Sequence, residues 1–230
     1  MLSAASEPAF PADDHFTAGL RGFGPLGILS IVVIAAGTLV TPLIGAVLAL
    51  GWAWRSRTPW REIGYVRPKS WIGSLISGAA FGSAFKLLMK AIVMPLLGAD
   101  PINSTYHYLI GNTAALPGML FATIVVAGFG EETVFRGYLF ERLGKLLGTG
   151  VAAKMLIVLL GAGLFAIRHY SDQGLAGVQQ AVITGLVFGI IFAVTGRIWM
   201  PICAHAAFDL TALAIIYLDL ESDLAHLIFK

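Results

Sequence analysis

The feature that most constrains this chain is a succession of apolar segments, each long enough to cross a lipid bilayer. A spanning helix needs about 20 predominantly apolar residues, which matches the thickness of the hydrocarbon core. Segments of that kind occupy residues 25–54, 70–97, 117–141, 152–170, 178–196 and 199–220. Only 12% of the residues are charged, against about 25% in an average globular protein. The sequence therefore predicts an all-α fold, a polytopic membrane helix bundle of about six transmembrane helices.

The domain organisation follows from the position of the first apolar segment. Glu7, Asp13 and Asp14 precede it, which does not fit the basic start of a cleaved signal peptide. We interpret residues 1–23 as a disordered tail and residues 24–230 as a single transmembrane domain. Pro42 falls inside the first segment, where it predicts a kink or a division into a span and a tilted extension.

The orientation of the bundle is predicted from its basic residues. The linker after the first segment is the most basic part of the chain, with Arg55, Arg57, Arg61, Arg67 and Lys69 against Glu62. The positive-inside rule places this linker in the cytoplasm, and alternation then places residues 98–116 and both termini outside. We expect an integral protein of the plasma (inner) membrane.

Two other features of the apolar segments have structural interpretations. Lys86 and Lys90 lie one turn apart near the outer end of the second segment, and we expect them to extend to the outer membrane interface. Two pairs of glycines are spaced four residues apart, Gly78 with Gly82 and Gly185 with Gly189. This spacing predicts close packing between helices.

Ionisable residues interrupt the apolar pattern at three places. An ionisable side chain at the centre of a bilayer costs roughly 2.5–3.5 kcal/mol on insertion scales, so such residues usually form a site or pair with one another. They are Glu131, Glu132 and Arg136 in the third segment, His169 in the fourth, and His205 with Asp209 in the sixth.

These residues lie at comparable depths in the membrane. With a rise of about 1.5 Å per residue from the nearest cytoplasmic cations, Glu131 lies ~16 Å deep, His169 ~22 Å, His205 ~12 Å and Asp209 ~18 Å. Those depths surround the middle of a hydrocarbon core about 30 Å thick. The sequence therefore predicts that the three clusters converge on one buried polar cavity.

Helix periodicity separates the roles of these residues. Glu132 and Arg136 are four apart and can form a salt bridge within one helix. Glu131 points about 100° away from Glu132 and lacks such a cation, so it is a candidate to hold and deprotonate a water molecule. Asp209, one turn from His205, can accept a hydrogen bond from the imidazole and fix its tautomer.

The succession Glu131-Glu132-x-x-x-Arg136, Phe165-x-x-x-His169 and His205-x-x-x-Asp209 resembles the three motifs of the CPBP family. This family comprises CAAX proteases and bacteriocin-processing enzymes and is also called the ABI family. The resemblance covers residues 117–215 and implies an all-helical intramembrane endopeptidase, whose best-studied relatives cut the tripeptide from prenylated carboxyl termini. By position, Glu131 resembles the water-activating glutamate, His169 its partner, and His205 with residue 209 the pair that stabilises the oxyanion.

Position 209 departs from the family pattern, in which asparagine is frequent. An amide can donate to a developing oxyanion, whereas an ionised carboxylate only accepts. Burial can keep Asp209 protonated, or Asp209 can orient His205 as the sole donor, and we favour the orienting role. Glu132 and Arg136 are then the structural support of the site.

The predicted reaction is peptide-bond hydrolysis within the lipid bilayer, with a protein or peptide as substrate and no cofactor. Zinc is the alternative, because two histidines and a glutamate form some catalytic zinc sites, although the His-Glu-x-x-His motif is absent. The net charge of +2 does not indicate a nucleic-acid partner. A proton-coupled transporter and a non-catalytic scaffold or immunity protein of the same fold are the alternative functions.

Overall fold

The computed structural model describes residues 12–229, and for residues 12–14 only the backbone. The principal helices are α1 (Ala12–Arg21), α2 (Pro25–Val40), α3 (Pro42–Arg55), α4 (Trp71–Leu96), α5 (Thr113–Leu147), α6 (Val151–Arg168), α7 (Tyr170–Thr195), α8 (Trp199–Tyr217) and α9 (Glu221–Ala225). No strand occurs in the described range. Helices α4 to α8 are long and apolar enough to cross a membrane, and a bent pair, His15–Arg21 with Pro25–Val40, can supply a sixth span. The predicted all-α polytopic bundle is confirmed.

The first apolar segment forms a helical hairpin and not one long helix. Thr41 adopts an extended conformation (φ −162°, ψ 141°) between α2 and α3, and Pro42, which has no backbone N–H, begins α3. The two helices pack closely, because a Cβ atom on Gly45 would collide with the Thr38 side chain. The division lies where Pro42 predicts it, but α3 packs back along α2 instead of extending it.

Residues 12–21 form helix α1, so the prediction of a disordered tail is wrong over that stretch. Residues 1–11 of the predicted tail lie outside the described range. Trp52 Nε1 donates a hydrogen bond to Leu20 O (3.0 Å), and the Arg21 guanidinium pairs with the Glu62 carboxylate (3.3 Å). Because the hairpin returns the chain to its starting end, α1 lies beside the basic linker.

The same end of the bundle collects most of the basic residues. Arg142 Nη1, near the end of α5, donates to Arg21 O (3.0 Å). Ile198 N, just before α8, donates to Gly64 O in the linker (3.0 Å). We call this end the basic end, and it is formed by residues 12–24, 52–70, 139–154 and 192–199.

The other end, which we call the distal end, is formed by residues 97–112, 168–176 and 218–229. Asn103 N donates to Glu221 Oε1 (3.1 Å), and Thr105 Oγ1 donates to Asp172 O (2.8 Å). Helix α9 therefore lies at the end opposite to α1. The expectation that both termini lie on one side does not fit this arrangement, because the hairpin at Thr41 adds a reversal that the alternation of spans did not include.

Helix α5 runs through the bundle and carries the paired glutamates. It is π-helical over Ala122–Glu131 and again over Thr133–Tyr138, a rare geometry that occurs frequently at functional sites. A Cβ atom on Gly130 would lie 3.1 Å from Leu43 N at the tip of the hairpin. The tip of the hairpin therefore packs against α5 at the depth of the paired glutamates.

Glycines bring the other helices close to one another. A Cβ atom on Gly82 of α4 would collide with the Ala204 carbonyl of α8, and one on Gly185 of α7 would lie 3.0 Å from Ala162 Cα of α6. The close packing that the glycine spacing predicts is confirmed at both patterns. These contacts fix the register of α8 beside α4 and of α7 beside α6.

The two lysines of α4 point into the protein. Lys86 Nζ donates to Gln180 Oε1 (2.9 Å) and lies 4.9 Å from the centre of the Phe208 ring. Lys90 Nζ pairs with the Glu221 carboxylate (3.1 Å), and its side chain is 12% exposed. The expectation that both lysines extend to the membrane interface is wrong, because both side chains have polar partners inside the bundle.

Candidate active site

A cavity of about 420 Å³ lies inside the bundle and extends toward the distal end. Glu131 from α5, His169 after α6, and His205 with Asp209 from α8 all line it. The structure thus brings together the four residues that the sequence predicts to be catalytic. Glu132 and Arg136 do not line the cavity but lie behind it.

Glu132, Arg136 and His205 form a buried polar network behind the cavity. Glu132 Oε1 lies 2.9 Å from Arg136 Nη1 and 2.7 Å from His205 Nδ1. The Glu132 side chain is 0% exposed and the Arg136 side chain 2%. The contact between the two is ionic, since the N–H directions of Arg136 Nη1 do not meet hydrogen-bond geometry. The predicted pair is present, and the opposite charges offset each other's burial.

The surroundings of Arg136 hold its guanidinium in place. Its Cζ atom lies 4.7 Å from the centre of the Phe165 ring and 5.8 Å from that of Phe188. Its Nη2 atom donates to Gly185 O (3.4 Å). A guanidinium stacked on aromatic rings gains cation–π attraction that rises when it is desolvated. Arg136 therefore links α5 to α6 and α7 at the back of the site.

The hydrogen bond to Glu132 determines how His205 faces the cavity. A carboxylate accepts, so Nδ1 carries the proton that it donates, and Nε2 is the nitrogen directed toward the other site groups. Nε2 lies 3.7 Å from Glu131 Oε2 and 3.6 Å from Asp209 Oδ2. The orienting role predicted for Asp209 is therefore occupied by Glu132, and Asp209 lies on the Nε2 side.

Glu131 has neighbours of opposite charge but no short ion pair. Its side chain is 9% exposed, and no cation of its own helix contacts it among the described residues. Arg168 Nη2 of α6 lies 4.0 Å from Glu131 Oε1. Sequence reasoning missed Arg168, although it directly precedes His169 in the second motif. Its position in that motif was the available signal.

His169 lies at the C-terminal end of α6. Its Nδ1 atom lies 2.8 Å from Phe165 O, which can only accept, so Nδ1 is the donor. Its ring centre lies 4.7 Å from that of Phe165. The hydrogen bond fixes the tautomer and leaves Nε2 for chemistry in the cavity. The helix that follows breaks at Gly174 (φ 59°, ψ −152°), near the rim of the cavity.

Tyr106, in the loop before α5, is a second lining residue that sequence reasoning missed. Burial raises the pKa of its phenol above the ordinary value, and the charges of Asp209 and Asp172 raise it further. The hydroxyl therefore keeps its proton and can donate a hydrogen bond within the cavity. Nothing in the sequence distinguishes Tyr106 from an aromatic residue at the membrane interface.

A protein metal site requires several His, Cys, Asp or Glu side chains that converge on one point. Among the described side chains of residues 15–229, no three His, Cys, Asp or Glu converge in an arrangement that could hold a metal ion. The cavity residues therefore do not fit the zinc alternative of two histidines and a glutamate. Independence from a metal stays a prediction.

The region that matches a known protein family includes the helices that carry the site. Residues 113–211 match the family model described as type II CAAX prenyl endopeptidase Rce1-like. The match begins with α5 and ends within α8, so it includes every predicted site residue. Comparison with curated proteins and with solved structures gave no match. The family match confirms the resemblance that the three motifs indicate.

Proposed function

We propose that this chain, whose residues 113–211 match the type II CAAX prenyl endopeptidase family model, is an intramembrane endopeptidase that hydrolyses a peptide bond with water activated by Glu131. The observation that supports this most is the approach of Glu131 Oε2 to His205 Nε2, 3.7 Å apart at the wall of a buried cavity. A base and a hydrogen-bond donor at that spacing can act on one water molecule and one carbonyl.

The spacing suits a bound water. A water that forms hydrogen bonds of about 2.8 Å to two atoms 3.7 Å apart lies at the apex of a triangle, beside the line that joins them. The apex can face the cavity, where a substrate carbonyl approaches. Glu131 then removes a proton from the water, and the resulting hydroxide attacks the carbonyl carbon.

His205 is the proposed donor to the oxyanion. Since Nδ1 donates to Glu132, donation from Nε2 requires the imidazolium form, which carries a proton on both nitrogens. The carboxylates of Glu132, Glu131 and Asp209 all lie within 3.7 Å of the ring nitrogens and offset its positive charge. Asp209 therefore supports His205 from the Nε2 side, where the related enzymes often have an amide.

The remaining cavity groups complete the proton transfers. His169, with Nδ1 bound to Phe165 O, holds its Nε2 for the water or the departing amine. Arg168 Nη2 lies 4.0 Å from Glu131 Oε1, so a positive charge lies beside the carboxylate that takes the proton. When the tetrahedral intermediate collapses, the C–N bond breaks and the proton taken by Glu131 passes to the amine. The hydroxyl of the water is then in the new carboxyl group, and its proton is on the released amine.

The structure argues against the transporter alternative. Transporters of the discontinuous-helix type place the helix break at the substrate site. Here the break at Thr41 lies behind α5, no described residue of 25–55 lines the cavity, and the break at Gly174 lies at the rim of the cavity. No specific observation favours a non-catalytic scaffold.

The proposal is tested by comparing cells that carry the wild-type chain with cells that carry Glu131→Gln. New protein N-termini in the membrane fraction should appear only with the wild type, and the matching uncut proteins should accumulate with the variant. Glu62→Gln is the matched control, because Glu62 is a glutamate at the basic end, outside the cavity. Identical N-termini in all three samples would contradict the proposal.

A further inference from the structure

The two ends of the bundle differ sharply in charge. Of the fifteen lysines and arginines of the sequence, ten lie at the basic end. They are Arg21, Arg55, Arg57, Arg61, Arg67, Lys69, Arg142, Lys145, Lys154 and Arg197. The described loops of the distal end, residues 97–112 and 218–229, contain no lysine or arginine. Among the described residues, Lys86, Lys90 and Arg168 are the cations nearest to them, and all three line the cavity.

The cavity reaches the surface at the distal end. Its outer lining includes Asn103 and Tyr106 from the loop before α5, Asp172 of α7 and Glu221 of α9. Its inner lining includes Glu131 and His205, so one continuous space joins the loop to the site. No described residue of 12–70 or 139–154 contributes to the lining.

The site is closed toward the basic end. Phe188 is 0% exposed and Phe165 is 2% exposed, and their rings lie 5.4 Å and 5.9 Å from that of His205. The ion pair of Glu132 with Arg136 lies behind these rings. A peptide that reaches Glu131 through the cavity must therefore arrive from the distal end.

Lysine and arginine near the ends of membrane spans are retained on the cytoplasmic side, whereas acidic residues contribute little to orientation. Ten cations at the basic end, against Arg168 alone among the described residues of the distal end, place the basic end in the cytoplasm. We propose that the mouth of the catalytic cavity opens on the non-cytoplasmic side of the membrane. The substrates are then peptides, or segments of membrane-anchored proteins, that lie on that side. A carboxyl terminus in the cytoplasm cannot reach Glu131 through this mouth.

The rim of the mouth is held in a defined conformation. Lys90 Nζ donates to Pro101 O (2.5 Å) and Gly111 N donates to Tyr217 O (3.0 Å). Together with the contacts of Asn103 and Thr105, these bonds fix residues 97–112 to α4, α7, α8 and α9. The loop is therefore a reliable reporter of the side on which the cavity opens.

The first experiment measures this orientation with single cysteines. Cys203 is the only cysteine, so Cys203→Ser gives a background into which Ser104→Cys at the rim or Thr149→Cys in the α5–α6 turn is introduced. Both positions are exposed and uncharged, and they lie at opposite ends. In intact cells, a membrane-impermeant maleimide should label Ser104→Cys, and it should label Thr149→Cys only after permeabilisation. Labelling of Thr149→Cys in intact cells, alone or equally with Ser104→Cys, would overturn the proposal.

The second experiment measures access to the site and rests on the proposed function. A pool of soluble, quenched fluorescent octapeptides is added to sealed right-side-out and inside-out vesicles that contain the full chain. Hydrolysis is expected with right-side-out vesicles, and with inside-out vesicles only after detergent. Hydrolysis restricted to intact inside-out vesicles would overturn the proposed sidedness. If detergent-treated wild type and Glu131→Gln cut equally little, the proposed function fails, while the cysteine labelling still decides the orientation.

Discussion

Glu131 and Glu132 are neighbours in the sequence, yet they lie in two different regions of the site. Glu132 faces the back, where Arg136 and His205 approach its Oε1 atom to 2.9 Å and 2.7 Å. Glu131 faces the cavity, where its charged neighbours remain 3.7 Å and 4.0 Å away. A carboxylate with short ionic contacts has a structural role, because its oxygen is already paired. A carboxylate with longer contacts can still bind and deprotonate a water molecule. The comparison teaches that contact distance, more than burial, separates the supporting group from the reactive one.

The largest expected effect on activity comes from Glu131→Gln. The amide keeps the size of the side chain but cannot accept a proton from water, and loss of a general base typically costs 10²–10⁴-fold in rate. Turnover of a cleaved peptide by purified protein is the measurement. Near-normal turnover by the variant would remove Glu131 from the role of base.

Arg136→Ala is expected to act on folding first. It leaves Glu132 buried without its cation, and breaking a buried pair in this way typically costs about 3–5 kcal/mol of stability. The matched control is Arg21→Ala, since Arg21 forms a largely exposed pair with Glu62 that is worth about 0–1 kcal/mol. Thermal unfolding in one detergent measures both variants. Equal unfolding midpoints for the two would show that the buried network does not support the fold.

Changes at Asp209 should have an intermediate effect. Asp209→Leu removes the carboxylate beside His205 Nε2, and we expect a loss on the order of 10²-fold, the usual scale for a weakened oxyanion contact. Asp209→Asn should stay within about tenfold, because the amide can itself donate to the oxyanion. Turnover is measured with His205→Ala in parallel. If Asp209→Leu cleaves at the wild-type rate while His205→Ala is inactive, Asp209 is not part of the oxyanion arrangement.

The smallest expected effect is that of metal removal. With water activated by Glu131 and His169 and without a metal, activity should survive exhaustive chelation, and elemental analysis of active protein should find no stoichiometric transition metal. Loss of activity on chelation, with recovery on addition of zinc, would restore the metal alternative.

Much of the site could be predicted from the sequence, because its elements are local. Glu132 and Arg136 pair within one helix, and the apolar segments around each motif require helices in lipid. The partner of His205 Nδ1 could not be predicted, since it depends on how α8 is placed beside α5. Sequence spacing could indicate only a partner for His205 within its own helix, and that residue is Asp209.

For the fold, too, local features could be predicted from the sequence and tertiary packing could not. Pro42 indicates where the first segment divides. The local sequence does not indicate whether α3 continues in the direction of α2 or folds back against it. That outcome depends on the packing of Gly45 against Thr38 and of Gly130 against the hairpin tip. The sequence pattern likewise did not predict the π-helical geometry of α5 over Ala122–Glu131.

The central claim, that Glu132 supports the site while Glu131 reacts, is tested most directly by comparing the thermal unfolding of Glu131→Gln and Glu132→Gln in the same detergent. The two substitutions are chemically identical and adjacent in the chain. We expect Glu132→Gln to lower the unfolding midpoint by several degrees, because Arg136 loses its buried counter-charge. Glu131→Gln should leave the midpoint unchanged or raise it. A larger decrease for Glu131→Gln than for Glu132→Gln would contradict the claim.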